Sequence, residues 1–303
     1  MSQWTQLKVK CRTEDLEIVS SVMSMLDNGL MIEDATEIDR METIYGELID
    51  EKVMNADRTK GAVSIFVPEE RNIMEYSAFL DAHLASVPHE TEYIGLNEED
   101  WADSWKKYYK PVRIGDRLIV VPTWEKYDPM PDDIILSMDP GMAFGTGTHE
   151  TTRICSRLLE QYMEKGDTVL DVGTGSGILA IAASKLGAKK VNAYDIDPVA
   201  VRIAKENCDV NGCQNIKCGI SDLLKNIDRT EKYDFICANI VADIIVRMAP
   251  DISGVLADDG LIAVSGVIDT QRERVLDALT SNGLKTVAEV KDNDWCGLLL
   301  TKK

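Results

Sequence analysis

The stretch Val169-Leu-Asp-Val-Gly-Thr-Gly-Ser-Gly-Ile-Leu179 decides the fold. A short apolar strand ends at Asp171, glycines alternate at Gly173, Gly175 and Gly177, and an apolar helix follows. Glycine carries no Cβ, so such a turn lets a ligand lie against bare backbone at a strand's carboxyl end. The next strand, Lys190-Val-Asn-Ala-Tyr194, ends at Asp195, whose carboxylate suits the hydroxyls of a ribose. Together these features indicate a nucleotide-like cofactor on an α/β sheet.

Glycine spacing narrows the cofactor. A nicotinamide fingerprint needs G-x-G-x-x-G, and its third glycine falls on Ile178, so G-x-G-x-G fits instead. S-adenosylmethionine has no phosphate to set on a helix N-terminus. It asks for a carboxylate at the ribose and for open backbone around its amino acid. Asp195 and the Gly173–Gly175 loop meet those needs, and Asp171 is placed to orient the loop or to meet the methionine ammonium. Asp197, directly before Pro198, is the better cap for the next helix. This reading favours a methyltransferase, with a dehydrogenase or another nucleotide binder as alternatives.

From Thr148 onward strands and helices alternate. Helices are expected over 150–163, after the glycine turn to Leu186, and over 198–211, 242–248 and 270–281. Strands are expected at 168–171, 191–194, 215–219, 233–238 and 260–265. The last two strands, 284–290 and 294–301, are too close for a parallel crossover and must form an antiparallel hairpin. A mostly parallel sheet closed by such a hairpin is a seven-stranded Rossmann-like methyltransferase architecture.

Two other segments of this half carry chemistry. Asp139-Pro-Gly-Met-Ala-Phe-Gly-Thr-Gly-Thr-His-Glu-Thr-Thr152 is rich in glycine and hydroxyls, with Thr148 a candidate cap for the following helix. Cys237-Ala-Asn239-Ile-Val-Ala242 ends the fourth strand, where α/β ligands sit, and Asn239 brings one carbonyl acceptor and one amide donor. His149 is the only histidine near this site, and capping or packing competes with proton transfer for it.

The first part of the chain reads β-α-β-β-α-β, the order of a smaller α+β ferredoxin-like domain. Strands are expected at 4–9, 30–32, 62–67 and 91–94, and helices from Thr13 to Leu26 and from Arg71 to Ala85. Residues 39–60 are ambiguous and could form an extra strand and loop. Trp101, Trp105, Tyr108 and Tyr109 recur at helical spacing and mark a connecting helix that Pro111 ends. Short strands at 112–114 and 117–121 follow, and Pro129 and Pro131 mark a loop. The expected division is a substrate-recognition domain over 1–97, a helical linker over 98–111 and a methyltransferase domain over 112–303.

Bulk properties exclude several classes. The longest apolar runs are too short for a membrane span, and no basic-then-apolar leader opens the chain, which points to the cytoplasm. Seven cysteines and three histidines include no C-x-x-C pair, so the cysteines read as free thiols rather than zinc ligands, and no metal is expected. The net charge is −19, and residues 1–97 hold 8 Lys and Arg against 19 Asp and Glu. So acidic a surface repels phosphate backbones, which disfavours direct nucleic-acid binding, and attracts a basic macromolecule in a salt-dependent way.

The threonine-rich segment, the Asn239-Ile-Val-Ala242 motif and the ending Asp294-Trp-Cys296 together resemble the bacterial methyltransferase family that modifies ribosomal protein L11 of the large subunit. The resemblance covers nearly the whole chain. It implies methyl transfer from S-adenosylmethionine to lysine ε-amino and N-terminal α-amino groups of that basic protein. By position it implies cofactor contacts at Thr152, Gly173, Asp195 and Asn239, with Phe144 covering the adenosyl group. Gly175 joins them from the glycine turn, and Asn239 is also the candidate for orienting the amine. Val241 stands where the family usually has leucine. A methyltransferase of another protein or small molecule, and a non-enzymatic cofactor-binding assembly module, are the alternatives.

Overall fold

The computed structural model describes residues 4–27, 29–34, 57–68, 71–95, 109–139, 145 and 147–303. The aromatic helix expected before Tyr109, most of 39–60 and Phe144 lie outside them. The chain divides into two compact units, Met1–Tyr109 and Lys110–Lys303.

In the first unit, strands β1 (Trp4–Arg12), β2 (Met31–Asp34), β3 (Lys60–Pro68) and β4 (His89–Ile94) form an antiparallel sheet in the order β2-β3-β1-β4. Helix α1 (Leu16–Met23) follows β1 and helix α2 (Ile73–His83) follows β3, which completes the ferredoxin-like order. Alternation on β1 sends Thr5, Leu7, Val9 and Cys11 inward, and α1 contributes Leu16, Val19, Val22 and Met23 to the same core. Asn72 caps α2 by accepting the Met74 N–H at 3.0 Å.

The second unit opens with a small sheet of β5 (Val112–Arg113), β6 (Leu118–Pro122) and β7 (Ile134–Met138). The reading of this segment as two strands and a loop missed β7. Its five residues lie between Asp133 and Asp139, close behind two prolines, and it pairs parallel to β6.

The main sheet orders β10-β9-β8-β11-β12-β14-β13, with β8 (Thr168–Val172), β9 (Lys190–Asp195), β10 (Ile216–Ile220), β11 (Tyr233–Asn239), β12 (Leu256–Ile268), β13 (Leu284–Asp292) and β14 (Trp295–Lys302). Pairing is parallel from β10 to β12 and antiparallel through β14, as the terminal hairpin requires. The strand order reverses at β8, so the crevice beyond its carboxyl end is the ligand position of this architecture.

Helices α3 (Glu150–Tyr162), α4 (Ile178–Leu186), α5 (Pro198–Val210), α6 (Ala242–Val255) and α7 (Arg272–Ser281) accompany the sheet. Helix α6 runs through Pro250, beyond the end expected at Met248. Proline forfeits one backbone bond, but Ile245, Met248, Ala249, Ile252 and Val255 stay buried along the continued face, and that packing prevails. Strand β12 likewise begins at Leu256 rather than Gly260.

Candidate functional site

The glycine turn is laced to the end of β9. The Gly173 and Thr174 N–H groups both donate to the Tyr194 carbonyl, at 2.8 and 3.0 Å. Gly173 has φ +73, and a Cβ there would stand 2.4 Å from Cγ2 of Ile240. Only glycine lets the turn close against the segment that leaves β11. Asp195 accepts the Gly175 N–H on Oδ2 at 2.9 Å and the Asp197 N–H on Oδ1 at 3.0 Å. Asp197 caps α5 through the Val199 N–H at 2.8 Å, as expected. Burial raises the Asp195 pKa, against the pull of the two backbone donors.

Asp171 lies beneath the turn, 1% exposed. Its Oδ2 accepts the Thr174 hydroxyl at 2.7 Å, so of its two expected roles loop orientation is the one the described contacts fill. Its Oδ1 has no partner in hydrogen-bonding geometry among the described residues. Burial, more than any other influence, pushes the Asp171 carboxyl up to about 7; the Thr174 hydroxyl opposes this and the Asp195 charge adds to it.

The threonine-rich segment meets the same edge. His149, not Thr148, caps α3: its Nδ1 accepts the Thr151 N–H at 3.3 Å. Thr148 is the residue the sequence offers as cap, and the imidazole nitrogen one position later takes that place. The ring also lies 2.9 Å from Thr151 Oγ1 and edge-on to Trp295, with centroids 5.0 Å apart. These contacts commit His149 to capping and packing. Thr152 is fully buried, and its Oγ1 accepts the Asn239 amide N–H at 3.4 Å. The donor end of Asn239 therefore faces α3, and its Oδ1 has no hydrogen-bond partner among the described residues. Thus Thr152, Gly173, Gly175, Asp195 and Asn239 all belong to the carboxyl edge of the parallel strands or to segments bonded to it.

A second set of residues holds this edge together, and the sequence reading missed it. Ser176 donates its hydroxyl to the Gly145 carbonyl at 2.7 Å, tying the threonine-rich segment to the glycine turn. Asn207, 1% exposed, donates to the Ser176 carbonyl and accepts the Asp139 N–H, both at 2.9 Å. One turn later Asn211 exchanges two hydrogen bonds with the Ser137 backbone, at 3.0 and 2.7 Å. Two asparagines at i and i+4 on one helix were the available signal. The cysteines read as free are free, and the sulfurs of Cys208 and Cys218 lie 4.0 Å apart.

The family model described as ribosomal protein L11 methyltransferase (PrmA) matches residues 3–303. The chain belongs to that family. A ribosomal protein L11 methyltransferase of Enterococcus faecalis is 41% identical over 312 residues, covering 99% of this chain and 98% of that one. One from Acetivibrio thermocellus is 39% identical over 309 residues and covers 98% of both chains. A solved ribosomal protein L11 methylase from Lactobacillus delbrueckii subsp. bulgaricus superposes with a TM-score of 0.61 at 39% identity, over 64% of this chain and all of its own. The family and the sheet order agree on a Rossmann-like methyltransferase fold, and the chain is an S-adenosylmethionine-dependent methyltransferase.

Proposed function

We propose that this enzyme methylates ribosomal protein L11 on lysine ε-amino and N-terminal α-amino groups. The observation that carries the reading is the convergence of the glycine turn, Asp195 and Asn239 on one sheet edge in a chain that the family spans from end to end. The site suits S-adenosylmethionine. Asp171 Oδ1 beneath the glycine turn is a buried acceptor without a partner in hydrogen-bonding geometry among the described residues. Thr152, Gly173, Gly175, Asp195 and Asn239 would hold the cofactor, with Phe144 over its adenosyl group. Ile196 and Ile220, 57% and 55% exposed, flank Asp195 and offer apolar surface to an adenine.

When bound, the cofactor supplies a methyl group on a sulfonium, and the chain supplies alignment and exclusion of water. The acceptor amine must be neutral. Deprotonating a lysine at pH 7 costs about 4–5 kcal/mol and an α-amine about 1 kcal/mol. Asn239 Oδ1, the unpaired end of that amide, accepts a hydrogen from the amine and orients its lone pair. His149 is engaged in capping α3 and packing on Trp295, so desolvation of the lysine or transfer to water serves. Residues 1–97, with their acidic excess, recognise the basic substrate and steer it in. Residues 98–111 link them to the catalytic domain over 112–303, and the enzyme works in the cytoplasm, where its substrate is made. Among the described residues no helix is long and apolar enough to cross a membrane.

Isothermal titration tests the cofactor site. S-adenosylmethionine should bind, and Asp195→Ala should weaken it roughly 10- to 100-fold, the value of a hydrogen bond to a charged group. Tight binding of NADH with no heat from S-adenosylmethionine would overturn the assignment.

A further inference from the structure

Strand β12 carries a bulge beside Asn239. Its pairing with β14 jumps from Val264↔Leu298 to Val267↔Cys296, so Ser265 and Gly266 together face the single residue Gly297. Gly266 adopts φ +82 within this bulge. Asn239 is the register partner of Ser265 across the β11–β12 pair, and the Ile240 N–H donates to the Ser265 carbonyl at 3.2 Å. A Cβ on Gly266 would meet the Ile240 backbone, at 2.4 Å from its O, 2.8 Å from its C and 3.2 Å from its N. The contacted atoms are main chain, so no side-chain rotation relieves them. The Ser265 hydroxyl, fully buried, has no hydrogen-bond partner among the described residues, so the bulge acts through its backbone.

We infer that Gly266 is a positioning residue for methyl transfer. The bulge draws the Ile240 peptide into the space a side chain at 266 would occupy, and this fixes the direction in which Asn239 leaves β11. Bulges beside active sites commonly aim a neighbouring side chain, and here the aimed one is on the adjoining strand. The inference rests on the reading of Asn239 as the residue that orients the amine.

Two features of Gly266 must be separated, its left-handed backbone and its closeness to Ile240. Gly283 has a similar φ of +86, but a Cβ there would meet nothing nearer than Ser253 Oγ at 3.8 Å. Gly283→Ala therefore carries the backbone strain alone. Gly266→Asn carries the crowding with less strain, because asparagine tolerates positive φ better than alanine, and it serves if Gly266→Ala fails to fold.

Initial rates of methyl transfer to purified L11 should be measured for Gly266→Ala, Gly266→Asn, Gly283→Ala, Asn239→Ala and the double variant Asn239→Ala/Gly266→Asn. A displacement of about an ångström at the reacting group costs up to about 100-fold, so kcat should fall roughly 10- to 100-fold in both Gly266 variants. Gly283→Ala should keep wild-type kcat. In the Asn239→Ala background, Gly266→Asn should cause no further loss, because the group it displaces is already gone. A purely structural role would instead make the two losses multiply, and that result would overturn the inference. So would wild-type kcat in Gly266→Asn alongside a loss in Asn239→Ala. Unchanged turnover in Asn239→Ala would remove the reading of Asn239 itself, and the inference with it.

Discussion

A single carboxyl, that of Asp171, sets the electrostatic tone beneath the glycine turn. It is buried, holds the Thr174 hydroxyl and titrates at about 7 in the folded chain. Unfolded, it titrates near 3.8. Below about pH 4 it is protonated in both states. Between about 4 and 7 the folded state keeps a proton that the unfolded chain has released, so stability falls as pH rises, by at most about 1.4 kcal/mol per pH unit. Above about 7 this contribution is lost. An amide at this position has no proton to release, so the stability of Asp171→Asn relative to wild type should climb from about pH 4 to 7 and then level off. Urea unfolding of both proteins across that range measures the difference. A difference flat with pH would show that Asp171 stays ionised throughout.

At the scale of elements, the site depends on helix α5 gripping two loops. Asn207 is bonded to Ser176 in the glycine turn and to Asp139 at the head of the threonine-rich segment. Asn207→Leu strands the buried Ser176 carbonyl, which costs about 1–3 kcal/mol, and removes the acceptor of the Asp139 N–H. We expect a lower melting temperature and weaker S-adenosylmethionine binding, by thermal unfolding and titration; wild-type values in both would show that the grip is dispensable. This device was hard to read in the sequence because Asn207 and Asp139 lie 68 residues apart. The glycine turn was legible because its signal is local: an apolar strand, three glycines and an apolar helix within a few residues. The terminal hairpin was legible from its loop length alone. Strand β7 was hidden by the prolines and aspartates around it, and the end of α6 by Pro250, where packing on the sheet outweighs local preference. The cap of α3 was hidden as well, since histidine is an unusual cap and the neighbouring Thr148 a common one.

For the whole molecule, a ferredoxin-like unit precedes a methyltransferase unit whose sheet edge gathers Gly173, Asp195, Thr152 and Asn239. The proposed basic protein substrate suits a chain of net charge −19. The family model spans both units, over residues 3–303. The most direct test gives the intact enzyme methyl-labelled S-adenosylmethionine together with purified large ribosomal subunit proteins and ribosomal RNA, and locates the label by mass spectrometry. The account predicts label on L11, at lysine and N-terminal amines, and none on RNA. Label on RNA or on another protein, with L11 unmodified, would contradict it.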